Sequence, residues 1–274
     1  MNLLPFVTSE RAYTIERSNP AGERPLVAAA LHGGHRVRPE VEALLALSES
    51  ERLREEDPFT AAWTAVADSR ILAHRSRFEV DLNRPPEGAL YLAPEQAWGL
   101  EVWRQPPPPG VVEESLAIHR RFYEEVRSLY QELARRHGRF VVFDLHSYNH
   151  RRGGRDTPPE NPAANPEVNV GTGSLDRSLW GPVVDRFMTD LAAFDFRGRR
   201  LDVRENVRFQ GGAFARWSHR EFPGSVCVLA IEWKKFFMDE WTGEPRSEDL
   251  ETISAALAAT VPGVLEELVR LGPP

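Results

Sequence analysis

The run LVAAALHGGH, residues 26–35, decides the fold. Six apolar residues without polar alternation read as a strand covered on both faces, as in a largely parallel sheet packed under helices. The run then stops abruptly at His32, Gly33, Gly34 and His35. Two later stretches repeat this plan: FVVF leading into Asp144, Leu145, His146 and Ser147, and VCVLAI leading into Glu232 and Trp233. A fourth stretch, FEVDL at 78–82, alternates apolar and charged residues and predicts a half-exposed or edge strand.

Helical signals separate these runs. Pro39 suits the first position of a helix over EVEALLAL, and Ser48 suits the cap of a second one over ESERLREE. From about Val112 to His137 an apolar stripe of Ile118, Phe122, Val126, Tyr130 and Leu133 predicts a long amphipathic helix, which Gly138 ends. Further helices are expected over 175–194 and from about Ser247, the latter broken or kinked at Pro262. The stretches 84–110 and 150–173 fit no regular element and read as long loops of the kind that carry function. The expectation is one α/β domain over 1–274, with a central, mostly parallel sheet flanked by helices.

Composition narrows the partners. With 41% hydrophobic and 27% charged residues the chain is an ordinary globular one, which excludes a disordered tail, a collagen-like fibre and a coiled coil. Its 41 acidic residues against 34 basic ones, with no basic stripe, argue against a nucleic-acid partner. Cys227 is the only cysteine, so neither an internal disulfide nor a cysteine-based zinc knuckle can form. The opening MNLLPFVTSERAYTIERSNP lacks the pattern of a secretory leader, and no apolar run has the length of a membrane span. A cytoplasmic protein with no membrane partner is expected.

The chemistry sits at the strand ends. In open α/β sheets ligands gather beyond the carboxyl ends of the strands, so His32, His146 and Glu232 are expected in one crevice. Two imidazoles and a carboxylate with an open fourth position suit a catalytic zinc ion. Asp144 lies two residues before His146 on the same strand face and can hold the second ring nitrogen. Glu232 ends an apolar run, where burial favours a general base, with an ion pair to Lys234 or Lys235 as the alternative. Arg77, Asp81, Asn83 and Arg84 form one arginine–amide group suited to a carboxylate; Asn206, Arg208, Gly211, Gly212 and Arg216 form a second.

In chain order, HGGHRVRPE, SRFEVDLNRPP, FDLHS, NVRFQGG and IEW resemble the motifs of the N-formylglutamate amidohydrolase family, over roughly Leu26 to Trp233. The DLNR element also resembles aspartoacylases, and the whole is similar to zinc carboxypeptidase-like folds. The resemblance implies such a fold and a single zinc ion held by His32, His146 and an acidic residue downstream of His32. The family's Thr-Asp-containing element is replaced here by REEDPFT, and counting with Pro39 in register puts Glu56 in the ligand's place. Glu55 and Asp57 are its rivals, and His35 competes if the local turn differs.

The same resemblance implies Glu232 as catalytic base and Asn83 with Arg84 as the pair that recognises the substrate carboxylate. It places Arg208 and Asn206 near the scissile carbonyl and the loop from Asn169 to Gly173 facing the pocket. The expected activity is hydrolysis of the amide of a small, carboxylate-bearing N-acyl amino acid, N-formyl-L-glutamate first. The alternatives are a zinc carboxypeptidase or deacylase acting on another carboxylate-bearing amide, and a ligand-binding relative without catalysis. A serine hydrolase built on Ser147 is disfavoured, because DLHS lacks the strained G-x-S-x-G elbow.

Overall fold

Seven strands make one mixed sheet in the computed structural model, which describes residue 6, residues 9–17 and residues 24–274. The stretch inspected for a leader lies partly outside these described residues. The strands are β1 (Tyr13–Glu16), β2 (Leu26–Ala30), β3 (Ser69–Ala73), β4 (Phe140–Tyr148), β5 (Val168–Gly171), β6 (Val203–Glu205) and β7 (Val226–Lys234). They run in the order β1-β3-β2-β4-β7-β5-β6. The central four, β3-β2-β4-β7, are mutually parallel, whereas β1 on β3 and β5 on β7 are antiparallel.

The three apolar runs become β2, β4 and β7, and residues 26–30 and 140–148 are buried throughout. Alternate residues feed opposite layers, as the pleat requires. Val141, Phe143 and Leu145 pack with α5 (Arg177–Ala193) and α7 (Ser247–Leu271). Phe140 and Val142 pack with α4 (Pro109–His137) and α6 (Ala213–Glu221). The expected stripe of α4 is buried on that side, and Gly138 ends the helix at φ 70°, a conformation glycine takes without strain. Among the shorter helices, α1 (Pro39–Glu42) begins on proline, α2 (Glu49–Glu55) is closed by a capping box between Ser48 and Glu51, and α3 is Thr60–Trp63.

Three expectations are corrected. Residues 78–82 form no strand; they are a fully buried turn whose charged members are ion-paired, Glu79 with Arg38 and Asp81 with Arg77. The stretch 150–173 contains β5, so only its first part is irregular. Pro262 does not break α7, which runs through it to Leu271. That helix is long and apolar enough to cross a membrane, but Leu250, Ile253, Leu257, Val261, Val264 and Leu268 are buried in the protein core.

The topology creates one switch point. From β2 the chain steps to β3 on one side, then returns to place β4 on the other, beside β7. Beyond the carboxyl ends of β2 and β4 the connections diverge and leave a crevice.

Candidate active site

His32 and His146 flank this crevice, one just past β2 and the other within β4, with ring centroids 4.8 Å apart. His146 and Glu232 are register partners on β4 and β7, so backbone pairing sets them side by side. The third donor comes from the end of α2. Asp57 Oδ2 lies 3.0 Å from His146 Nδ1 and 3.4 Å from His32 Nδ1. One ligand atom from each of the three residues lies within 4.8 Å of the others, and all three residues are buried.

Asp57, not Glu56, therefore faces the histidines. Glu56 is the C-cap of α2 in an extended conformation (ψ 175°), and neighbouring side chains on extended backbone point to opposite sides. Glu56 turns to His35 and to the Ser76 hydroxyl, which takes His35 out of the group as well. The Asp57 amide donates to His32 O at 3.0 Å. Buried Lys235 holds the same segment, its Nζ donating to Arg54 O at 2.6 Å and Glu56 O at 2.7 Å. Glu55 binds Arg152 and Arg54.

Each imidazole is backed on its far nitrogen. His32 Nε2 lies 2.8 Å from Asp81 Oδ1, and His146 Nε2 lies 3.0 Å from Asp144 Oδ1. Asp81 is itself fixed by Arg77, by the Tyr91 hydroxyl and by the Asn83 amide. This far-side support turns both Nδ1 atoms toward Asp57, the arrangement carboxylate–histidine pairs give to metal ligands. Burial alone would raise the Asp57 carboxyl, yet its hydrogen bonds to His146 and His32 hold it far below the usual carboxylate range. Burial likewise opposes ionisation of Asp81, which the neighbouring His32 and Arg77 overcome. An N,N,O set of this kind fits a divalent cation. Two polar groups at the cavity, Ser147 Oγ and Asn149 Oδ1, have no hydrogen-bond partner among the described residues and point the same way.

The three residues line a cavity of about 300 Å³, together with Glu232, Asn83, Arg84 and Arg216. Burial pushes the Glu232 carboxyl up to about 7, with His146 pulling against the shift and Asp57 and Asp144 adding to it. Neither lysine pairs with Glu232: Lys234 Nζ donates to Asn165 O, and Lys235 holds the α2 end. Asn83 Oδ1 accepts the Phe214 amide at 3.0 Å, which leaves Nδ2 facing His146 Nε2 at 3.3 Å. Arg216 donates to Gly211 O at 3.0 Å at the exposed rim.

The remaining expected residues serve the wall from behind. Arg208 turns its guanidinium to Glu160 and Asn165 and lies against Tyr148, so it does not face the cavity. Asn169, on β5, spends its side chain on the Arg208 amide and Phe209 O. Asn206, at φ 53°, binds the Thr172 amide and hydroxyl. The stretch from Asn169 to Gly173 is strand and turn behind Gln210 and Gly211. Lys235, Asp81 as the partner of His32, and the indole of Trp98 at the cavity wall are additions to the expected set. Of these, Lys235 left a trace in the sequence, as one of two lysines among 34 basic residues.

Sheet and cluster together define an α/β protein whose two histidines and one aspartate meet at the switch point, in a group that could hold a metal ion. The chain belongs to the N-formylglutamate amidohydrolase family, whose pattern it matches over residues 24–236, and it is an amidohydrolase by that membership. Two crystal structures share the fold. An N-formylglutamate amidohydrolase from Ralstonia eutropha JMP134 superposes with a TM-score of 0.72 at 17% identity, covering 94% of this chain and 98% of that one. A gene product from Agrobacterium tumefaciens gives 0.65 at 18% identity, covering 94% and 96%. No curated protein sequence matches the chain.

Proposed function

We propose that this amidohydrolase is zinc-dependent and cleaves N-formyl-L-glutamate to formate and L-glutamate. The observation that carries the reading is the meeting of His32 Nδ1, His146 Nδ1 and Asp57 Oδ2 beside Glu232. Held by these three side chains, zinc would supply Lewis acidity to the amide carbonyl and to water.

The residues divide the remaining work. Glu232, with its carboxyl near 7, is basic enough to take a proton from the attacking water and still ionises at neutral pH. The water oxygen joins the formyl carbon, the C–N bond breaks, and the proton on Glu232 passes to the departing nitrogen. Arg84 has no carboxylate partner among the described residues and stands next to Asn83 on the cavity wall. A guanidinium and an amide so placed clamp the substrate carboxylate and fix the amide against Glu232.

The test pairs metal analysis with formate release. Purified protein should carry or take up one divalent ion and release formate from N-formyl-L-glutamate. Glu232→Gln should keep the ion and lose about 10²- to 10⁴-fold in turnover. Protein that neither holds nor responds to a divalent ion would overturn the reading, as would full turnover in Glu232→Gln.

A further inference from the structure

A second cavity, about 660 Å³, lies between α4, α6 and the turn at 84–87. It is the larger of the two, and it shares Arg84, Ala213 and Arg216 with the cavity of the active site. Arg84 and Arg216 thus stand at the boundary between two compartments rather than at a closed end.

The wall beyond that boundary is basic. Arg120, Arg127 and Arg220 join the two shared arginines, against Glu87 and Glu124. In a chain of net charge −7 this is a local reversal of sign. Arg127 and Arg220 are engaged by Glu221, whereas Arg84 and Arg120 have no ion pair among the described residues. The indole of Trp217 also lines the cavity, with the Arg127 guanidinium 5.5 Å from its ring centre.

From this arrangement we infer that the larger cavity is an anion-selective extension of the active site, which receives the far end of a substrate longer than N-formylglutamate. The inference rests on the reading of Arg84 as the clamp for the amino-acid carboxylate. Chain continuing past Arg84 belongs to the amino-acid half of the substrate, not the acyl half. The arginines beyond select a further carboxylate there, and Trp217 offers a face to the methylenes between. The substrate class is an N-acyl acidic dipeptide, in which the leaving amine carries a second acidic residue.

Two measurements test this. Formate release is compared for N-formyl-L-glutamate and N-formyl-γ-L-glutamyl-L-glutamate, and calorimetry compares binding of L-glutamate and γ-L-glutamyl-L-glutamate. The longer compound should have the higher kcat/KM and the dipeptide the tighter binding, each by about tenfold, the worth of one added charge-assisted contact. Arg120→Glu, on the exposed face of α4, should abolish both advantages while leaving N-formyl-L-glutamate hydrolysis within about twofold, and Arg120→Ala should give an intermediate loss. A dipeptide that binds no better than glutamate, or an advantage untouched by Arg120→Glu, would overturn the inference. Tighter dipeptide binding that Arg120→Glu removes, in protein that releases no formate, would uphold the compartment and sink the hydrolytic reading instead.

Discussion

Replacing Gly212 by alanine tests whether Asn83 positions the site. A Cβ at residue 212 would fall 2.1 Å from Asn83 Oδ1, 2.3 Å from Nδ2 and 2.4 Å from Cγ. Ordinary contact starts at 3.4 Å, so the amide must retreat by about 1.3 Å. Backbone strain does not enter, because Gly212 sits at φ −85°, which alanine tolerates. Retreat breaks the bond Asn83 accepts from the Phe214 amide and withdraws Nδ2 from His146. The lost bond costs about 1 kcal/mol of stability, whereas a displacement near 1 Å among substrate-positioning groups costs about 10²-fold in rate. Formate-release kinetics and denaturant melts on Gly212→Ala separate these effects. The decisive comparison places the same change in an Asn83→Ala background, where no amide remains to be pushed and a second loss should not appear. Equal losses in both backgrounds would refute the reasoning, as would wild-type rates in the single variant.

Other predictions follow from the same geometry. Asp57→Asn should strip the metal on dialysis while Glu56→Gln retains it, as elemental analysis of the two proteins would reveal; the reverse order would restore Glu56 as the ligand. Asp81→Asn, which weakens the support behind His32, should lower metal affinity about 10- to 100-fold in competition with a chelating dye. His219 weakens the fold in acid: burial lowers its pKa from 6.5 to about 4, and its Nε2 accepts the Val228 amide. The unfolded chain therefore takes the proton first as pH falls. Its contribution to stability should be level above about 6.5 and decline toward 4 by about 3 kcal/mol, read as the difference between the wild-type protein and His219→Gln. His219→Gln should flatten that decline in urea melts, and parallel profiles for the two proteins would count against the assignment.

What could be read from the sequence follows physical lines. β2, β4 and β7 announce themselves because strands buried on both faces need unbroken apolar runs, and α4 because its stripe keeps a helical period over 29 residues. β1 and β6 are edge strands of four and three half-buried residues, too short and too polar for such a signal. The misreading of 78–82 came from taking charged residues to face solvent; Glu79 and Asp81 are buried with partners more than a strand's length away or on the next turn. Position along the chain located both histidines and Glu232. It could not choose between Glu56 and Asp57, because one backbone torsion at the end of α2 decides which carboxylate turns inward. Arg208 shows the limit of counting arginines, since the partners that turn it away lie on a distant loop.

Because His146 and Glu232 sit opposite each other on adjoining strands, the spacing between this imidazole and this carboxylate is inherited from main-chain pairing rather than from any loop. A slip of one residue between those strands would turn one of the two groups to the opposite face. Surrounding segments are consequently free to diverge and reshape the crevice, while this pair keeps its distance through every such change.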